Sequence, residues 1–472
     1  MHGQIPPPPG NAALFPAADV RRRDEAVLTA ALDALPARIA EASVTPTLDP
    51  TAFRDELASF DFAAPRALET LIPWVVARLE TGIVQITHPR YFGLFNPAPT
   101  FPSQLADRIV AAFNPQLATS TTSPAAVALE AHVIRAVAAR AGLPAEAGGH
   151  FTTGGAEANA TAAICALTAA EPGFAQNGAR AFAGPPCLYI SREAHLAWIK
   201  IAHQTGIGRD AVRLVATDGQ GRLRPDALAE AIAADRARGA VPVMVAATAG
   251  TTAAGMIDPL AACAAVAREA GLWLHVDAAW GGAAIASARH RGVLAGLEAA
   301  DSLTIDAHKW FATTMGCGMF LTRHPAVLSA AFQVATGYMP SNLASLDPYV
   351  TSLQWSRRFL GLRLFLSLAA AGWDGYGAHI ERAIELAALL GGQLGARGWT
   401  VVNDSPLAVL CLLPPAGSAE PAAIVRRVLD AGTAWISVAV FEGRPTIRAC
   451  ITNGATTPAD VARLVDALEA AR

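Results

Sequence analysis

A lysine just past the end of an apolar strand is the first residue to suggest chemistry. In Asp306-Ala307-His308-Lys309-Trp310, which follows the strand candidate at 302–305, desolvation of the Lys309 amine would suit it to forming a Schiff base with a carbonyl. An isolated lysine at a strand end is ordinarily a solvated surface residue, so its companions decide. Trp273-Leu274-His275-Val276-Asp277-Ala278-Ala279-Trp280 sets a carboxylate at the end of a second buried strand. Burying Asp277 is costly unless it meets a cation, and a protonated pyridine nitrogen is such a cation; the bland reading is a cap on the next helix. Thr153-Gly154-Gly155-Ala156-Glu157 is a glycine turn opening an alanine-rich helix, where free amides and the helix dipole favour a phosphate. It matches neither a Walker sequence nor a G-x-G-x-x-G fingerprint. His195 follows a further strand and has an imidazole that can stack on a ring or simply settle at a helix start. Thr252, in Thr248-Ala249-Gly250-Thr251-Thr252, brings a hydroxyl to another strand end.

Something must hold these strand ends together. Short apolar runs at 187–191, 212–216, 241–248, 273–277, 303–306 and 318–322 alternate with helical stretches around 125–141, 156–170, 225–238 and 259–270. That alternation predicts an α/β fold, a mostly parallel sheet with helices on both faces and ligands outside the carboxyl ends of its strands. Ahead of it, residues 1–85 read as a proline-rich tail and a helical arm whose apolar stripe at 27–39 needs a partner surface. Residues 86–379 form the large domain. Residues 380–472, with a long helix, strands at 408–413 and 446–451 and a closing helix from Pro458, read as a small α+β domain.

Composition narrows the partners. The chain has 472 residues, 53% hydrophobic and 16% charged, and a formal net charge of -3, so it can bury a large core and has no charge excess to attract nucleic acid or an anionic membrane. Its six cysteines form no CxxC pair and no metal cluster with histidine, and read as reduced core thiols. With no apolar h-region at the N-terminus and no unbroken 18-residue apolar stretch, a cytoplasmic location is expected.

Taken in this order, the motifs resemble the group II decarboxylases that depend on pyridoxal 5'-phosphate (PLP), the family of aromatic L-amino-acid, histidine and glutamate decarboxylases. The likeness runs from His88-Pro89-Arg90-Tyr91-Phe92 to Arg448-Ala449-Cys450-Ile451-Thr452-Asn453, with HVDAAW and DAHKW its most specific segments. It implies the fold type I architecture of aspartate aminotransferase and a homodimer with its active site at the subunit interface. By residue, it implies PLP bound to Lys309, the ring nitrogen on Asp277 and the ring between His195 and Ala279. Gly154, Gly155, Ala156 and His308 would surround the phosphate, with Thr252 near the ring's 3-oxygen. Tyr338 would be the mobile-loop acid that protonates Cα once CO2 has left. Three positions depart from the pattern: Ala156 where Ser or Thr is usual, Trp280 for Tyr, and Ala197 for Ser.

The resemblance implies decarboxylation of an L-amino acid to its amine. Leu94 and Phe95, in the segment that lines the side-chain pocket of the aromatic branch, suggest an aromatic or bulky apolar substrate; the plain alternative is that they are core. Arg357 would meet a carboxylate or else serve a structural pair. An aldehyde synthase, an aminotransferase, a carbon–carbon lyase and a catalytically inactive PLP-fold binding protein are the alternatives.

Overall fold

A computed structural model describes residues 11–334 and 347–472. Its centre is a seven-stranded sheet of β1 (Gly148–Thr152), β2 (Pro186–Ser191), β3 (Val212–Val215), β4 (Val241–Thr248), β5 (Trp273–Asp277), β6 (Ser302–Asp306) and β7 (Gly318–Thr322), in the order β1-β7-β6-β5-β4-β2-β3. Strands β3, β2, β4, β5 and β6 run parallel, whereas β7 is antiparallel to both of its neighbours. This is the α/β arrangement expected from the alternating pattern, with the site expected at the carboxyl ends of β4 to β6.

The sheet is covered because its strands are apolar on both faces. Residues of β2, β6 and β7 are buried throughout, and a single large cluster joins Val245, Val276, Leu303 and Leu321 to the helices around them. Helix α1 (Phe101–Phe113) precedes the sheet, and helix α2 (Gly155–Ala170) follows β1 and packs over β5 and β6. The alanines of α2 let its backbone approach the sheet closely. All six cysteines are buried, and burial pushes the thiols of Cys263, Cys317 and Cys450 up to about 12.

The long helix anticipated after residue 380 begins much earlier, as α3 (Gly361–Gly395). It is two helices joined at Gly372, whose φ of +65° is a left-handed conformation that glycine adopts at little cost. The boundary expected at residue 380 therefore falls within a helix. Beyond it, β8 (Thr400–Val401), β9 (Val409–Leu413), β10 (Ser437–Phe441) and β11 (Arg444–Cys450) make an antiparallel sheet in the order β10-β11-β9-β8. Among the described residues, no helix is long and apolar enough to cross a membrane.

Candidate active site

Register across the sheet brings the chemical residues together. Thr248, Asp277 and Thr304 are aligned on β4, β5 and β6, and the chain leaves these strands towards one cavity of about 260 Å³. Its lining includes Gly154, Gly155, Ala156, His195, Thr252, Asp277, Ala279, His308 and Lys309. These are the nine residues singled out from the sequence for the cofactor.

Each has a definite setting. The turn after β6 carries Lys309, whose Nζ lies 3.1 Å from Asp306 Oδ2; Asp306 is 2% exposed, so the amine is held against a buried carboxylate. Asp277 is buried at the end of β5. Its Oδ1 accepts from the Ala279 N–H at 3.2 Å and its Oδ2 from Asn159 Nδ2 at 2.8 Å. His195 stands exposed at the rim, its Nδ1 accepting from the Ala197 N–H at 3.1 Å, so a neutral ring carries its proton on Nε2. His308 is anchored through Nδ1 to the Cys317 carbonyl. Thr252 is exposed on the cavity wall.

The residues present fit PLP. Helix α2 begins at Gly155 without a side-chain cap, leaving its first amides open to a phosphate, and its dipole favours that charge. A Cβ at Gly155 would come within 2.9 Å of Asp306 Oδ2 and 3.3 Å of Ala279 Cβ, so glycine keeps the cradle open. Thr248 Oγ1 is buried in the lining without a hydrogen-bond partner among the described residues, a polar atom awaiting a ligand. An amine, a carboxylate and an uncapped helix start thus line one cavity. No group of three or more His, Cys, Asp or Glu among the described residues is placed to hold a metal.

The substrate-side expectations fare differently. Phe95 lines the cavity, but its ring stacks on Trp280 at 4.3 Å between centroids, and Trp280 in turn stacks on Trp310 at 5.3 Å. Leu94 is 46% exposed and does not line the cavity of this chain. Arg357 is not at the cavity either. It is 4% exposed and ion-paired with buried Glu130 at 2.7 Å, with Nη1 donating to the Phe151 carbonyl, so its charge is already used. Tyr338 lies outside the described residues.

Three residues at the site escaped the sequence reading. Asn159 is the donor to Asp277, and the signal was its place one helical turn after Gly155. Asp306 holds the lysine, i to i+3, within the very motif that announced it. Arg448 is 2% exposed on β11, and its guanidinium lies 4.6 Å from the centre of the Phe95 ring. It donates through Nε to the Thr252 carbonyl and through Nη1 to the Gly93 carbonyl, while Nη2 has no partner among the described residues. A charged residue in a buried strand was its signal.

The pyridoxal-dependent decarboxylase conserved domain matches residues 57–411. The chain is 31% identical over 400 residues to L-2,4-diaminobutyrate decarboxylase of Rhizobium meliloti (strain 1021), covering 83% of this chain and 79% of that one. It is 33% identical over 414 residues to human cysteine sulfinic acid decarboxylase, covering 82% of each. Among solved structures, mouse CSAD in apo form superposes with a TM-score of 0.90 at 26% identity, over 96% of this chain and 99% of that one. Oryza sativa TDC with PLP and tryptamine shares the fold, with a TM-score of 0.89 at 24% identity over 97% and 98% of the two chains. This chain belongs to the pyridoxal-dependent decarboxylase family and is a PLP-dependent lyase that removes the carboxyl group of an amino acid.

Proposed function

We propose that the substrate is an L-amino acid with a short polar or charged side chain, and that Arg448 receives its carboxylate. The carrying observation is the unpartnered Nη2 of a buried arginine that does not itself line the cavity but lies directly behind its wall, bonded to the carbonyl of Thr252, which lines it, and to that of Gly93. A buried cationic donor left unpaired is costly, and a substrate carboxylate removes that cost. The ring of Phe95 is occupied by Trp280 and the Arg448 guanidinium, so the aromatic side chain expected from the sequence has no free partner there. Relatives that act on diaminobutyrate and cysteine sulfinic acid support the shorter, polar class.

Bound PLP supplies a conjugated ring that accepts the electron pair left on Cα. The chain's own residues do the rest. Lys309 provides the attaching amine, held in place by Asp306. Of the residues lining the cavity, Asp277 would meet the ring nitrogen, His195 and Ala279 would cover the ring, and the amides at Gly155 and Ala156 would hold the phosphate together with His308. Trp280 and Phe95 keep water from the reacting carbon. The Cα–carboxylate bond breaks, CO2 departs, its bonding pair stays on Cα, and the Tyr338 hydroxyl delivers the proton that completes the amine.

The test is CO2 release from cysteine sulfinate, 2,4-diaminobutyrate, aspartate, glutamate, tyrosine and tryptophan. Highest kcat/KM on an aromatic acid would defeat the reading. Arg448→Lys should raise KM about tenfold or more while the PLP absorption spectrum stays unaltered.

The active unit in this reading is a homodimer. Helix α1 presents Phe101, Leu105, Ile109 and Phe113 at four-residue spacing, from 36% to 81% exposed, an apolar stripe that a second copy would cover. The arm helix Ala18–Asp33 likewise has no buried residue. Sedimentation at assay concentration checks this, and a fully active monomer contradicts it.

A further inference from the structure

The carboxylate of Asp277 stands at the end of a line of polar side chains buried under the cavity. The period of two in a strand puts Trp273, His275 and Asp277 on one face of β5, and Ser302 and Thr304 on the matching face of β6, with His275 opposite Ser302 and Asp277 opposite Thr304. Helix α2 lies over that face and contributes Asn159. His275, Ser302 and Thr304 are fully buried and Asn159 is 2% exposed. Four close contacts link them. Trp273 Nε1 donates to Ser302 Oγ at 2.8 Å; Ser302 Oγ and His275 Nδ1 are 2.8 Å apart; His275 Nε2 and Asn159 Oδ1 are 3.0 Å apart; and Asn159 Nδ2 donates to Asp277 Oδ2 at 2.8 Å.

Chemistry gives this line a direction. The side of Asn159 that faces a carboxylate must be its NH2, so its carbonyl faces His275 and can only accept. His275 Nε2 is therefore the protonated nitrogen. Burial lowers the pKa of this imidazole to about 4, so it is neutral and carries one proton, which leaves Nδ1 as the acceptor for the Ser302 hydroxyl. The indole N–H of Trp273 has no acceptor capacity and starts the line. Thr304 Oγ1, 3.3 Å from His275 Nε2, is a longer second contact for the same N–H. Every donor points towards Asp277.

We propose that Trp273, Ser302, His275 and Asn159 form a one-way hydrogen-bond chain that positions the Asp277 carboxylate for the ring nitrogen of PLP, with Asn159 as its delivering residue. The proposal rests on the reading of Asp277 as the ring-nitrogen partner. Oδ1 of Asp277 is fixed by the backbone of its own turn, at Ala279, and Oδ2 receives its side-chain donor from Asn159. With both oxygens tied, the carboxylate plane cannot rotate, and successive donors in a dry interior polarise one another towards it. Trp198 packs edge-on against the His275 ring at 5.6 Å, restraining its tilt. These are positioning residues, since none of them lines the cavity except Asn159.

The experiment uses the holoenzyme loaded with ring-15N PLP, and apoprotein titrated with PLP. In Asn159→Ala the dissociation constant for PLP should rise about tenfold, and the ring-nitrogen resonance should move towards that of unprotonated pyridine. Asn159→Leu keeps the side-chain volume but removes the donor, and reads the same loss should the truncated side chain not fold. His275→Phe should move the resonance less than Asn159→Ala does, and should move it no further in the Asn159→Ala background, because its influence passes through Asn159. An unchanged resonance and affinity in both Asn159 variants would overturn the proposal. So would a full additional effect of His275→Phe when Asn159 is gone. Asp277→Asn separates the two layers: if it leaves the resonance unmoved, the ring-nitrogen assignment itself fails, whereas a shift there with none in the Asn159 variants removes only the chain.

Discussion

Replacing Arg357 by methionine distinguishes a structural arginine from a substrate ligand. Arg357 and Glu130 are an ion pair at 2.7 Å, with side chains 3% and 4% exposed. Their contact is not aligned as a hydrogen bond, so charge and the other ties of each partner hold it: Glu130 Oε1 accepts from the Leu360 and Gly361 amides, and Arg357 Nη1 donates to the Phe151 carbonyl. The pair thereby fastens the start of α3 to the strand that leads into the phosphate turn. Arg357→Met leaves the Glu130 carboxylate buried and uncompensated, a loss of about 3–5 kcal/mol. Unfolding entropy scaled to a chain of this length is roughly 1 kcal/mol per degree, so the apoprotein Tm should fall by about 3–5 °C. KM should not change. In Arg357→Met/Glu130→Gln the buried charge is gone while an acceptor for the two amides remains, and most of the lost Tm should return. Differential scanning calorimetry beside initial-rate kinetics reads both quantities. A variant with unaltered Tm and a raised KM would refute the structural assignment and return Arg357 to the substrate.

The other predictions concern single residues. Lys309→Ala should lose covalent PLP and turnover; borohydride reduction and peptide mapping should find the pyridoxyl group of the unaltered protein on Lys309, and a label on exposed Lys200 would sink the assignment. Tyr338→Phe should still release CO2 yet yield less amine, with the shortfall appearing as aldehyde and ammonia when oxygen is present; amine formed at the unaltered rate would remove the tyrosine from the reaction. His150 is buried with neither ring nitrogen bonded among the described residues, and burial holds its pKa at about 3. Its folded pKa lies below its unfolded value of about 6.5, so the unfolded chain takes up this proton first, and the stability it contributes is present above about pH 6.5 and drains as pH falls towards 3. His150→Leu should accordingly flatten the decline of Tm between pH 6 and pH 4, and an unchanged slope would contradict the argument.

How much of this was legible depended on whether a residue's role is written in its neighbours along the chain. Strands β4, β5 and β7 begin and end at the residues read from the apolar runs, because a strand buried on both faces of a covered sheet is a short apolar run. Strand β1 was missed, since Gly148-Gly149 lacks the side chains that mark a strand, and its antiparallel partner is distant in sequence, Gly148 being registered with Thr322 across the sheet. The helix Leu68–Gly82 carries Pro73 in its interior, which reads as a break although tertiary packing tolerates it. At the site, residues that line the cavity from the turns after strands were readable from glycine and strand-end context. Those that act across the fold were not. Arg448 reaches Thr252 over 196 positions and Asn159 reaches Asp277 over 118, and no periodicity encodes such distances. Arg357 was ambiguous for the same reason, since it lies outside any helix or strand and its partner Glu130 is far along the chain, on the helix Pro124–Arg140.

Ala156 is the departure that the fold lets us weigh. A serine or threonine there would offer a hydroxyl to the phosphate, and alanine does not. Its place in the first turn of α2 is exposed to the cavity, so a hydroxyl has room. The acidic residue next to it, Glu157, does not oppose the phosphate at close range: Oε2 accepts from the Thr153 amide and hydroxyl at 2.8 and 2.7 Å, and Oε1 from Gln354 Nε2 at 2.6 Å, so both oxygens are committed to the protein. In the proposed reading the uncapped amides and the dipole of a 16-residue helix would carry the phosphate without the hydroxyl. A hydrogen bond to a charged group is worth about 1.5–3 kcal/mol when well made, against about 1 for an ordinary one, so Ala156→Ser should tighten PLP binding by roughly fivefold or more. Titration of apoprotein with PLP, followed by the visible absorbance of the bound form, measures it. An affinity that is unchanged or weaker in Ala156→Ser would mean that the phosphate does not sit at the first turn of α2, and the cradle assigned to Gly155 would have to be sought elsewhere.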